Sequence, residues 1–60
     1  MRTYARLLDA DDQETRLIAI ELIMVELGNI TKYKRKLVII ALIKNVTGVK
    51  IREEDYNKWK

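Results

Sequence analysis

Asp9, Asp11, Asp12 and Glu14 are the first residues whose type and spacing suggest chemistry, since clustered carboxylates are what a divalent cation requires. The register does not suit one. A calcium loop beginning at Asp9 needs glycine at its sixth position and glutamate at its twelfth, and those positions hold Glu14 and Ile20. The cluster suits a helix start better. Asp11 followed by Glu14 has capping-box spacing, and acids are favoured at the positive end of a helix macrodipole. No metal is expected. The chain also lacks histidine, cysteine, serine and any glycine-rich phosphate loop. The commonest carriers of nucleophilic and acid–base chemistry are therefore missing, the carboxylates sit mostly where capping and solvation explain them, and neither an enzyme nor a cofactor is expected.

The second candidate is Lys32-Tyr33-Lys34-Arg35-Lys36, four cations at the expected start of a helix, where the macrodipole disfavours positive charge. A phosphate backbone would reward that arrangement. The preceding Glu26-Leu27-Gly28-Asn29-Ile30-Thr31 resembles the turn and recognition-helix start of a helix-turn-helix. Lys32, Lys34, Arg35 and Lys36 are thus candidate nucleic-acid contacts. The alternative is neutralisation within the chain. Residues 1–30 hold three basic against six acidic residues, net −3, and residues 31–60 hold nine against three, net +6. In an antiparallel hairpin, Glu21 and Glu26 would lie near the Lys32–Lys36 end, and the Asp9–Glu14 cluster near Lys44 and Lys50.

The elements that position these residues are helical. A short helix is expected over 3–8, interrupted by Asp9-Ala10-Asp11-Asp12. A long one is expected over 12–27, stopped by Gly28 in the left-handed conformation. A third is expected over 32–46, capped by Thr31 and stopped by Gly48, with a buried strand at Leu37–Ile43 as the alternative for that apolar run. A last helix over 52–59 places Tyr56 and Trp59 on one side. Arg16–Gly28 and Lys36–Gly48 match at an offset of twenty residues, identical at Leu17/Leu37, Ile20/Ile40, Leu22/Leu42, Ile23/Ile43 and Gly28/Gly48. Two apolar helices ending in glycine produce such an echo without a true repeat.

The segment Leu7-Leu8-Asp9-Ala10-Asp11-Asp12-Gln13-Glu14-Thr15-Arg16-Leu17-Ile18-Ala19-Ile20-Glu21 resembles the centre of a HEAT-type helical repeat: a Leu-Leu-Asp helix end, an acidic turn, then Glu-X-Arg-X-X-Ala. Gln13 stands where that pattern has proline, and Thr15 where it has an apolar residue. The resemblance implies antiparallel helix pairing and a protein-binding role.

An ordinary surface helix has one apolar stripe. From Leu17 to Leu27 only Glu21 and Glu26 are charged, and Arg16, Glu21 and Glu26 fall about 140° apart, so no broad polar face exists. Leu37–Ile43 repeats the problem. Tyr4, Leu7, Leu8, Val49, Ile51, Tyr56 and Trp59 are available to cover part of this surface. With no disulfide possible and a core limited by sixty residues, association is the remaining means of stabilisation. The reading is an all-α, single-domain antiparallel helical hairpin with short flanking helices, forming a helical bundle on oligomerisation. Its partner is expected to be itself, a dimer being favoured, or another protein. Leu17, Ile20, Ile23, Met24, Leu27, Val38, Ile39, Leu42 and Ile43 are the expected interface. No signal peptide or spanning segment is apparent, and a cytoplasmic location without membrane association is expected.

Overall fold

Asp12, extended at φ −92° and ψ 137°, starts the longest helix, and its carboxylate accepts the Thr15 backbone N–H at 3.0 Å. The cap is therefore Asp12 and not Asp11, one residue later than the spacing suggested. The Thr15 hydroxyl donates to the same carboxylate, at 2.8 Å to Oδ2, which holds the Asp12 carboxyl below its ordinary value. The computed structural model describes residues 2–28 and 33–60. They form four α-helices: α1 (Arg2–Leu8), α2 (Gln13–Leu27), α3 (Lys36–Thr47) and α4 (Glu53–Trp59). No strand occurs among the described residues, so the strand alternative for Leu37–Ile43 is excluded.

α3 starts at Lys36, four residues later than expected. The proposed Thr31 cap lies outside the described residues. Arg35 occupies the cap position, extended and without a side-chain cap hydrogen bond. The physical reason is the one that made the cluster odd: cations are disfavoured in the first turn. Lys34 and Arg35 stay ahead of the helix, and only Lys36 enters it.

Both glycine stops have positive φ. Gly48, at φ 83° and ψ −3°, is left-handed and donates its N–H to the Lys44 carbonyl at 2.7 Å; Gly28 donates its N–H to the Met24 carbonyl but, at φ 57° and ψ −136°, is not in the left-handed conformation expected of it and takes another backbone shape open to glycine. A Cβ on Gly48 would meet nothing within 4 Å, so any penalty for a side chain there comes from the backbone alone. Gly48→Ala is expected to cost about 1–2 kcal/mol. In a chain of this size that lowers the thermal midpoint by roughly 4–8 °C per kcal/mol, with Gly48→Asn costing less. Thermal unfolding followed by circular dichroism measures both.

One core joins all four helices. Leu8, Ala19, Ile20, Ile23, Met24, Ile39, Ile40, Ile43, Ile51 and Tyr56 are buried in it. Tyr4, Leu7, Leu17, Leu27, Val49 and Trp59 pack against its edge. α2 packs its backbone most extensively against α1 and α4, and α3 meets α1; α2 and α3 share the core but lie less closely along one another than the hairpin expected of them. Trp59 packs as an edge residue, its ring 5.7 Å from that of Tyr56 and tilted by 55°. The radius of gyration of 10.2 Å is that of a compact chain of this length, about 10 Å. The terminal segments thus close a core within one chain, which the amount of apolar surface in the sequence argued against.

Candidate interaction surface

α4 opens with Glu53, Glu54 and Asp55, acids that suit the start of a helix. Two of them tie α4 to the first turns of the long helices. Asp55, 1% exposed, accepts from Arg16 Nε at 2.8 Å through Oδ2 and from Gln13 Nε2 at 3.0 Å through Oδ1. Arg16, 8% exposed, also donates from Nη1 to the carbonyls of Ala10 at 2.6 Å and Asp11 at 2.9 Å. The inter-helix turn, the start of α2 and the start of α4 are therefore joined through one guanidinium. Glu53 pairs with Lys36 at 3.5 Å, a more exposed contact. Arg16 and Lys36 are equivalent positions in the twenty-residue echo, and both end against α4.

Burial pushes the Asp55 carboxyl up, but hydrogen bonds from Arg16 and Gln13, with the charges of Arg16 and Arg52, outweigh it and hold the group below its ordinary value of 3.8. The native state then binds fewer protons than the unfolded chain in mild acid. This contribution is fully present above 3.8 and is lost as pH falls through the lowered folded value. With no histidine in the chain, thermal stability is expected to be flat between about pH 5 and 8 and to fall in stronger acid. A melting series in matched ionic strength checks this. A loss of stability already between pH 7 and 5 would contradict it.

The residues expected to form an interface are largely interior. Ile20, Ile23, Met24, Ile39 and Ile43 are buried in the chain's own core, Leu17 and Leu27 pack on its edge, and Leu42 is half-buried. Of the nine, Val38 alone is exposed. The surface that remains apolar is a different one. On α2 it is Ile18 (59% exposed), Leu22 and Val25 (69%); on α3 it is Leu37 (66%) and Val38, with Val46 toward the helix end. Ile18, Leu22 and Val25 lie within about 60° of one another, on the side opposite Ile20 and Ile23. α2 is thus apolar on two opposed faces, one in the core and one in water.

Charge edges these faces, with one sign on each helix. Glu14, Glu21 and Glu26 flank the outer stripe of α2, whose lone basic residue, Arg16, is turned inward. α3 carries Lys36 and Lys44 and no acidic residue. Two adjoining hollows open beside it. One, of about 310 Å³, is lined by Leu37, Ile40, Ala41, Lys44 and Lys50. The other, of about 440 Å³, shares Leu37, Ile40 and Lys50 and adds Ile51, Arg52 and Glu53.

Of the basic cluster, Lys34 and Arg35 are exposed, Lys36 is half-buried and paired with Glu53, and Lys32 lies outside the described residues. The hairpin neutralisation drawn from the sequence is not the one found. Among the described residues the ion pairs are Arg16–Asp55 and Lys36–Glu53, and neither Glu21, Glu26, Lys44 nor Lys50 takes part in one. Among the described residues no group of His, Cys, Asp or Glu is placed to hold a metal ion, and no helix is long and apolar enough to cross a membrane.

Sequence reasoning missed Ile18, Leu22, Val25 and Leu37 as the outward apolar positions, and Arg16 and Asp55 as a buried pair. A signal for Arg16 was present: it is the single charged residue at the spacing of Ala19, Ile20 and Ile23, and a cation on a core face calls for a buried acid. Comparison with protein-family models, curated proteins and solved structures gives no match.

Proposed function

We propose that this chain is a non-enzymatic protein-interaction module that binds through the outer faces of α2 and α3. The observation that carries the reading is the second apolar stripe of α2, Ile18, Leu22 and Val25, exposed at the i, i+4, i+7 spacing by which helices dock on partner surfaces. The HEAT-type resemblance of residues 7–21 points the same way. Each exposed side chain is already partly covered and has about 1 kcal/mol left to gain from burial. Association itself costs about 4–15 kcal/mol. Three residues therefore do not hold a partner by themselves, and the α3 face with its hollows belongs to the same binding function.

The test is a photo-crosslinking side chain at Val25, in cells that naturally make the protein, with one at exposed Asn57 on α4 as control. A discrete adduct from position 25, absent from position 57 and lost on Leu22→Lys, is the expected result. No adduct from position 25, or equal labelling from both positions, would overturn the reading.

A second reading, nucleic-acid binding through Lys32, Lys34, Arg35 and Lys36, is favoured by the exposure of Lys34 and Arg35 outside any ion pair. It requires duplex binding that falls steeply with salt and disappears when those four residues become alanine.

A further inference from the structure

The α2 stripe and the α3 hollows are complementary in shape and in prevailing charge. The stripe projects, is apolar along its centre and is edged by Glu14, Glu21 and Glu26. The hollows are concave, lined in part by Leu37, Ile40 and Ala41, and edged by Lys44, Lys50 and Arg52; the one acid at their rim, Glu53, is paired with Lys36. Neither set of charges is used inside the chain, because the ion pairs among the described residues are Arg16–Asp55 and Lys36–Glu53. A helix with anchors at i, i+4 and i+7 laid in an apolar groove is a recurrent recognition mode, and charges around the rim select the partner. The chain carries both halves of such a pair.

We infer that the partner is a second copy of this chain, the acid-edged α2 stripe of one copy docking in the base-edged α3 hollows of the other. The inference rests on the reading of these faces as a binding surface and names what covers them. A two-fold arrangement makes the contact twice and closes it. One copy cannot satisfy itself this way: Ile18, Leu22 and Val25 face away from the core that α2 shares with α3.

The experiment uses the purified full chain and two charge-reversed variants, Glu21→Lys with Glu26→Lys, and Lys44→Glu with Lys50→Glu. All four positions are exposed and outside the ion pairs, so helicity and melting of dilute samples should match the parent. Sedimentation or light scattering over a concentration series at low salt gives the mass. The parent should exceed monomer mass and dissociate more readily as salt rises. Each variant alone should associate at least about tenfold more weakly. An equimolar mixture should regain the parent's association, because the reversed α2 of one variant then meets the reversed α3 of the other. A parent that stays monomeric, variants that associate like the parent, or a mixture that does not recover would each overturn the inference. If the parent is monomeric while position 25 still crosslinks to a different protein, self-association fails and the binding-module reading stands. If position 25 captures nothing, that reading fails as well.

Discussion

Asp55→Asn is expected to cost about 3 kcal/mol, the lower end of the range for breaking a buried ion pair by removing one partner. The substitution keeps shape and removes charge. It strands the Arg16 guanidinium against two backbone carbonyls and a neutral amide, with its side chain 9% exposed. A domain of this size has roughly 0.05–0.15 kcal/mol of stability per residue, so a loss of this size removes a large share of the total. Urea unfolding followed by far-ultraviolet circular dichroism reads the loss directly. Replacing both partners with apolar residues, Arg16→Met with Asp55→Leu, should recover most of it, because the cost lies in the uncompensated charge and not in a large net gain from the pair. If Asp55→Asn is as stable as the parent, α4 is not tied to α2 through this contact. The variant should also show a shallower loss of stability in acid, since the lowered Asp55 carboxyl is what makes the native state resist protonation.

Ile20→Ala is expected to destabilise by about 3–4 kcal/mol, while Ile18→Ala, two residues away, changes stability by less than about 1 kcal/mol. Ile20 is fully buried, and truncating it removes burial and leaves a cavity. Ile18 is 59% exposed, and the higher helix propensity of alanine offsets part of what little packing is lost. Ile43, also fully buried, should behave like Ile20. Association would raise the apparent stability of any variant that still pairs, so the measurement belongs in dilute protein or in the Glu21→Lys with Glu26→Lys background. Equal effects at positions 18 and 20 would mean that α2 is rotated from the orientation described.

These contrasts mark the limit of what the sequence states about α2. Its apolar residues cover most of the circumference, so periodicity identifies a helix but gives no phase. The phase is set by what arrives from elsewhere: Leu8 at the end of α1, Ile39, Ile40 and Ile43 from α3, Ile51 and Tyr56 from the C-terminal segment. Without it, the sequence could not tell inward from outward positions along Leu17–Leu27, and most of the residues it singled out there are buried in the chain's own core. The same holds for Arg16 and Asp55, 39 residues apart, which no local pattern links.

By itself the sequence determined the all-helical class, the acidic start of α2, the glycine stops at 28 and 48, and the terminal apolar residues that join the core. Each of these follows from interactions within a few residues: a side-chain cap, a backbone conformation open to glycine, a helical period. Tertiary structure alone decided which face of α2 is inside and which acid neutralises Arg16. Those outcomes depend on burial, and burial of a face that is apolar all round is fixed only by the surface that packs against it.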